Sequence, residues 1–201
     1  MQKVTEEQHK KSLSVTQPGI LMQLMQVITK HPLFTSFTMN SVMVMIRQCF
    51  MFITLRKYQI LYREEEETAL VFIPVYGELT VWSKKNGQFG RIKIGNTAGE
   101  EAICDKNFLC RMDNCYAEAD SCLVCISRDK WLDLKQEKRA DPVLMKEMNA
   151  LEEVFRKHHF VKKRWRAGII NSNRSASVIQ GQGSAALLAA KHADEVKRAS
   201  Q

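Results

Sequence analysis

The sequence lacks a hydrophobic stretch long enough to cross a membrane. Arg47, Arg56 and Lys57 interrupt its richest apolar region, whereas a membrane-spanning helix needs about 20 consecutive, mostly apolar residues. Residues 1–15 also lack the apolar core of a secretory signal. From these two absences we expect a cytoplasmic protein.

Motifs of enzyme chemistry are absent as well. There is no phosphate-binding P-loop, no kinase signature and no G-x-S-x-G elbow. The five histidines have no nucleophile and carboxylate beside them, and His158 and His159 lie among basic residues, where we expect surface positions. Cys122 and Cys125 form a C-x-x-C, but they lie in an apolar, strand-like run without the further cysteines or histidines of a zinc site. We expect no enzymatic activity, no metal and no cofactor.

The positive charge is confined to the end of the chain. The net charge is +8, yet residues 1–155 carry 20 Lys and Arg against 20 Asp and Glu. Residues 156–201 carry 10 Lys and Arg against 2 Asp and Glu. A basic arm of this kind is attracted to acidic partners, although a solvated tail would have the same composition.

Helical periodicity appears at the start of the chain. Residues 20–28 are mostly apolar, and His31-Pro32 ends the pattern. Thr38 or Asn40 is a candidate cap for a helix that extends to residue 49. Its apolar positions recur at the spacing of one helical face: Val42, Met45, Ile46 and Cys49.

Short β-prone runs fill the middle of the chain. They are residues 52–55, 59–62, 69–76, 78–82, 90–94, 115–117 and 121–126. The Asn86-Gly87 pair between two of them is a strong hairpin signal. Closely spaced strands with turns between them are typical of a barrel or sandwich.

Helices return after the strands. Ser127 or Asp129 is a candidate cap for a short helix, and Asp141-Pro142 begins a longer one. Its apolar stripe is expected to pack on the core: Leu144, Met148, Leu151 and Phe155. Residues 171–183 are typical of a linker, and residues 184–198 of a short helix.

Four segments resemble the cyclic nucleotide-binding domain family. Residues 72–81 are similar to its strand–turn–strand, and residues 95–103 (Gly-Asn-Thr-Ala-Gly-Glu-Glu-Ala-Ile) to its phosphate-binding cassette, G-x-x-F-G-E-L-A-L. Residues 111–117 and 128–131 are similar to the next strand and the helix that closes the barrel. The resemblance implies a mainly β fold with flanking helices (α+β), built around an eight-stranded, jelly-roll-like β-barrel. Its expected parts are an N-terminal helical extension (1–32), the barrel domain with flanking helices (33–155) and a basic, helical C-terminal arm (156–201).

The resemblance also implies a ligand site for cAMP or cGMP. Its residues are Gly99, Glu100, Ala102, Arg111 and Met112. Gly99 would let the backbone approach the phosphate, Arg111 would bind the phosphate oxygens, and Glu100 would accept from the ribose 2′-hydroxyl.

The cassette departs from the family pattern. Ala98 replaces an aromatic residue, and Glu101 replaces a leucine and adds negative charge near the phosphate position. The alternative role of Arg111 is therefore a salt bridge to Glu100 or Glu101. Met112 replaces a small or hydroxylated residue, and the spacing from Glu100 to Arg111 is long for the family.

Two functions remain open. The favoured one is a non-enzymatic structural or interaction subunit of a larger assembly, in which ligand binding is weak or lost. The alternative is a sensor that binds cAMP or cGMP through Gly99, Glu100 and Arg111 and moves its C-terminal helix. We expect partners to be protein subunits bound through the basic arm and the N-terminal helix, not nucleic acid, and we expect a cilium or the cytoskeleton as the setting.

Overall fold

The structure, a computed structural model, describes residues 18–67, 69–104, 110–138 and 141–169. The predicted linker at 171–183 and the predicted helix at 184–198 lie outside these ranges. No helix within them combines the length and the apolar character that crossing a membrane requires.

Among the residues that the structure describes, two helices precede the strands: α1 (Pro18–Thr29) and α2 (Met39–Gln48). The hydroxyl of Thr38 accepts a hydrogen bond from the backbone N–H of Ser41 at 3.2 Å, so Thr38 is the cap. The predicted apolar face of α2 is buried: Val42, Met45, Ile46 and Cys49.

Seven strands in the described residues form two antiparallel sheets. They are β1 (Phe50–Leu55), β2 (Ile60–Tyr62), β3 (Leu70–Tyr76), β4 (Leu79–Ser83), β5 (Gly87–Ile92), β6 (Asn114–Ala117) and β7 (Ser121–Ser127). One sheet has the order β1-β7-β3 and the other β2-β6-β4-β5. The predicted hairpin at Asn86-Gly87 joins β4 to β5, with Gly87 at φ 74°. The expected architecture, mainly β with flanking helices, is confirmed.

The three-stranded sheet is covered on both faces. On β3, Val71 and Ile73 pack toward the helices, whereas Phe72 packs toward the four-stranded sheet. On that second sheet Leu79 and Val81 point inward, as strand alternation predicts. Burial on both faces explains why β3 and β7 are nearly continuous apolar runs.

The short helix α3 (Glu101–Cys104) lies between β5 and β6, and within the described part of the chain two helices follow β7. They are α4 (Arg128–Glu137) and α5, the helix of residues 142–169. Asp141 caps α5, because its Oδ1 accepts from the N–H groups of Val143 and Leu144 at 3.1 and 3.0 Å. The predicted stripe of α5 is buried: Leu144, Met148, Leu151 and Phe155.

The chain divides into two compact units within α5. The first unit ends at Lys162 and the second begins at Lys163. The domain bounds expected from the sequence, with the barrel domain at 33–155 and the arm at 156–201, stay a prediction.

Candidate functional site

The cassette backbone is fixed to strand β3. Phe72 and Ala98 exchange two backbone hydrogen bonds, each 2.8 Å long. Gly99 follows with φ +74°, and a Cβ atom there would lie only 2.2 Å from Nη1 of Arg111. Glycine is required at this position because the arginine passes directly against the backbone.

The guanidinium of Arg111 is buried and bonded to groups of the same chain. Its side chain is 2% exposed, and Nη1 donates to Oε1 of Glu101 at 2.8 Å. Nη2 donates to the backbone carbonyl of Leu70 at 2.6 Å. Both terminal nitrogens of the fork, which would otherwise bind an anion, are therefore engaged within the chain.

Two aromatic rings enclose the same guanidinium. Its Cζ lies 4.5 Å from the ring centre of Tyr62 and 5.6 Å from that of Phe72, which gives cation–π stabilisation. Burial, followed by the charge of Asp113, raises the pKa of the Tyr62 hydroxyl, so Tyr62 is neutral. Tyr62 and Phe72 thus occupy space beside Arg111.

Glu101 is the anion that Arg111 binds. Burial by itself would raise the pKa of the Glu101 carboxyl. The charge of Arg111 and its hydrogen bond outweigh burial, and they hold this pKa below its usual value of 4.5. Glu101 is therefore ionised at neutral pH.

The neighbouring Glu100 contacts α5. Its Oε2 accepts from Nζ of Lys162 at 2.6 Å and from the hydroxyl of Thr97 at 3.2 Å. Lys162 Nζ also donates to the Thr97 backbone carbonyl. Nδ1 of His158 lies 3.0 Å from the Thr97 hydroxyl. The Thr97 hydroxyl has one proton and donates it to Glu100. In the second hydrogen bond we therefore assign His158 Nδ1–H as the donor and the Thr97 oxygen as the acceptor.

Burial lowers the pKa of His158, although the charge of Glu100 opposes this effect. The His158 imidazole is therefore neutral at neutral pH. Two contacts join α5 to the cassette: the buried ion pair between Lys162 and Glu100, and the hydrogen bond between His158 and Thr97.

Among the described residues, one cluster of side chains at this site is of the types that bind metal ions. Atoms of Glu100, Glu101 and His159 lie within 4.8 Å of one another. Each carboxylate is already paired with a cation, Lys162 or Arg111. A divalent ion would add two uncompensated positive charges in a buried place, so this donor set does not suit a metal.

The predicted site residues are only partly brought together. Gly99 and Arg111 are in contact, and Ala102 is buried with its N–H bonded to the carbonyl of Gly99 at 3.1 Å. Glu100 is fully buried against α5, and Met112 is exposed.

Two contributors, Thr97 and Lys162, were not anticipated from the sequence, and His158 was expected at the surface. His158 is instead half-buried, and Lys162 is buried although it belongs to the basic stretch. A signal was present for Lys162: it lies seven residues after Phe155, on the continuation of the buried stripe of α5.

Solved structures with similar folds show what this architecture is. A structure described as a cyclic nucleotide-binding domain from Methylobacillus flagellatus KT has a TM-score of 0.57 and 15% identity, over 79% of this chain and 93% of that one. The chain has the cyclic nucleotide-binding domain fold. The N-terminal domain of a transcriptional regulator from Streptomyces coelicolor A3(2) has a TM-score of 0.51 and 15% identity, over 67% and 94% of the two chains. No family model and no curated protein sequence matches this chain.

The cyclic nucleotide-binding fold expected from the four sequence segments is thus confirmed. At 15% identity the likeness concerns the fold alone. What the site does has to be argued from its own geometry.

Proposed function

We propose that this chain is a non-enzymatic interaction subunit in which the cyclic nucleotide-binding fold is stabilised without a ligand. The observation that carries the proposal is the buried pair between Arg111 and Glu101, 2.8 Å apart. A nucleotide phosphate would have to displace Glu101 from Arg111 and leave a second buried negative charge beside its own.

Glu100 supports the same proposal from the other side of the cassette. In a nucleotide site its carboxylate would have to reach a ribose hydroxyl. It is instead bonded to Lys162 and Thr97, which belong to the chain itself. The partners are protein subunits, and the basic C-terminal arm and the N-terminal helix are the contacts we propose. The setting to test first is the cytoplasm, at a cilium or the cytoskeleton, by imaging of the tagged chain.

The second candidate function is a cAMP or cGMP sensor. The close contact between Gly99 and the Arg111 guanidinium favours this function, because the chain keeps both the glycine turn of the cassette and an arginine beside it that could bind a phosphate. Glu101 would then act as a gate that leaves Arg111 when the nucleotide binds.

Titration with nucleotide distinguishes the two functions. Millimolar cAMP and cGMP should leave the melting temperature of the full chain unchanged, and calorimetry should show no saturable heat. A ligand at a hundred times its dissociation constant would stabilise the fold by about 2.7 kcal/mol. An upward shift that Arg111→Ala abolishes, and that Met112→Ser at the exposed neighbouring position retains, would establish the sensor instead.

A further inference from the structure

His31 is a buried histidine between α1 and α2, and both nitrogens of its ring contact backbone groups. The residue is 4% exposed, and its Nε2 lies 3.0 Å from the carbonyl oxygen of Pro74 in β3. On the other side of the ring, the backbone N–H of Leu33 donates to Nδ1 at 3.3 Å. The segment that follows α1 is therefore joined to β3 through this side chain.

These two contacts determine where the proton of the ring lies. A backbone N–H can only donate, so Nδ1 of His31 carries no proton in this bond. A carbonyl oxygen can only accept, so Nε2 carries the proton. We therefore assign the neutral imidazole. A second proton would be added at Nδ1, where it would oppose the N–H of Leu33 and break that hydrogen bond.

The elements around His31 provide little that would stabilise a positive charge. The ring of Phe34 lies 5.7 Å from the imidazole and 5.5 Å from the ring of Phe50 in β1. In α1, β1 and β3, as the structure describes them, the only ionisable side chain is that of Tyr76, which is 66% exposed at the end of β3. Charged residues of the other neighbouring segments are exposed or bonded elsewhere: Lys30 after α1, Arg47 in α2, Lys93 two residues before Gly95 (which lies beside Pro32), and Glu147 of α5, which accepts from the N–H of Thr38.

We propose that His31 is a pH-sensitive latch, and that protonation of its ring releases α1 and residues 30–37 from β3. The geometry requires the protonated ring to lose the hydrogen bond from Leu33, and the apolar surroundings leave the new charge without a partner. The inference goes beyond the proposed function, because it does not depend on whether a nucleotide binds.

The direction of the pH effect follows from burial. Burial lowers the pKa of His31 below its usual value of 6.5, and the hydrogen bond to Pro74 opposes this effect only in part. A ring released into water regains the usual pKa, so the released state binds the proton more readily. The latch therefore holds fully above about pH 6.5 and weakens as pH falls toward the folded-state pKa. Each unit between the two pKa values is about a tenfold factor in the equilibrium for release.

His158 is the histidine from which this effect must be separated. Burial lowers its pKa as well. Its Nδ1 is assigned as the donor to Thr97, and a protonated ring can still donate from that nitrogen, so acid does not break this bond. His158 also lies on α5, whereas His31 follows α1. A local measurement therefore distinguishes the two histidines.

The test measures hydrogen exchange of the full chain by mass spectrometry at about pH 7.5 and about pH 5.5, two values on either side of the usual histidine pKa. Rates are corrected for the intrinsic pH dependence of amide exchange. Protection of peptides from α1 and residues 30–37 should fall at least about tenfold at the lower pH, while that of β7 should stay unchanged. Both values lie above the usual pKa of Glu101, 4.5, so its titration does not contribute.

Two matched variants assign the effect to one ring. His31→Gln keeps an amide N–H that can donate to the carbonyl of Pro74, but it does not titrate in this range. Its α1 protection should be the same at both pH values, whatever its absolute level. His158→Gln removes the other half-buried histidine with a lowered pKa and should keep the full loss of α1 protection.

Three results would overturn the latch. They are equal protection of α1 at the two pH values in the wild type, a loss that persists unchanged in His31→Gln, and an equal loss in β7, which would indicate global unfolding. If His31→Gln does not fold, the wild type decides by itself. The NMR titration of the His31 ring should then have the same midpoint as the loss of α1 protection, and a ring that titrates while α1 stays protected would refute the proposal.

Discussion

Replacing Glu101 by leucine, the residue common at this place in the family cassette, tests the role assigned to the buried pair. The substitution removes the carboxylate 2.8 Å from Nη1 of Arg111, whose side chain is 2% exposed. An uncompensated guanidinium then remains inside the fold. Breaking a buried ion pair by removing one partner costs about 3–5 kcal/mol.

The size of this effect can be read in urea unfolding. At an m-value of about 2 kcal/mol per molar, a loss of 3–5 kcal/mol lowers the midpoint by about 1.5–2.5 M. Glu101→Gln keeps an oxygen that accepts a hydrogen bond but removes the charge, so it should fall between wild type and Glu101→Leu. The double variant Glu101→Leu, Arg111→Met should recover most of the loss, because apolar replacement of both partners of a buried pair is often nearly neutral.

The pH dependence gives a second check on Glu101. Its folded-state pKa lies below the usual 4.5. The unfolded chain therefore binds the proton more readily, and the contribution of Glu101 is present above about pH 4.5 and lost as pH falls through the folded-state pKa. The stability gap between wild type and Glu101→Leu should narrow in that range. Two results would refute the reasoning. One is a free energy of unfolding for Glu101→Leu within about 0.5 kcal/mol of wild type at pH 7, which is the size of change typical of an ordinary surface site. The other is a double variant that is no more stable than Glu101→Leu.

Three further substitutions probe the surroundings. Lys162→Met should cost about 3–5 kcal/mol, because a buried carboxylate loses its cation, whereas exposed Lys163→Met should change the free energy of unfolding by less than about 0.5 kcal/mol. Gly99→Ala should destabilise by well over the 1–2 kcal/mol or so of left-handed backbone strain, because its Cβ would clash with the guanidinium at 2.2 Å. Val81→Ala should cost about 2–3 kcal/mol through lost transfer energy and a cavity.

Each of these predictions has a control. Gly87 has the same φ of +74° as Gly99 but no atom within 4 Å of its added Cβ, so Gly87→Ala reports backbone strain alone. Equal losses for the two glycine variants would contradict the close approach of the arginine. Equal effects at Lys162 and Lys163 in urea unfolding would show that the ion pair to the cassette contributes nothing. A loss below about 0.5 kcal/mol at Val81 would mean that this side chain is not part of the core.

Local patterns in the sequence predicted most of the fold. Thr38 caps α2 through its hydroxyl, Gly87 adopts the positive φ that the hairpin turn needs, and Pro142 begins α5 with its fixed φ. Each of these effects is local to the residue and its near neighbours in the chain. Strand alternation likewise placed Leu79 and Val81 inside.

The candidate site was predictable only in part. The sequence placed Gly99 and Arg111 together and offered Glu100 and Glu101 as alternative partners of the arginine, without deciding between them. The structure pairs Arg111 with Glu101 and turns Glu100 toward Lys162, 62 residues away in the chain. Glu100 directly precedes α3 and Glu101 is its first residue, and the two side chains point toward different neighbours. Two adjacent glutamates can therefore pair with two different cations once the fold has placed one on each side.

The sequence by itself determined the helices, the strands, the hairpin and the cassette turn, because these depend on residues close together in the chain. The tertiary structure decided which charges meet inside the domain. Lys162 has a basic composition around it and would be expected in water, yet it is buried with Glu100 because α5 packs its apolar stripe on the core and carries the lysine with it. A long-range ion pair in a desolvated place depends on the position of two distant segments, and no local pattern encodes that position.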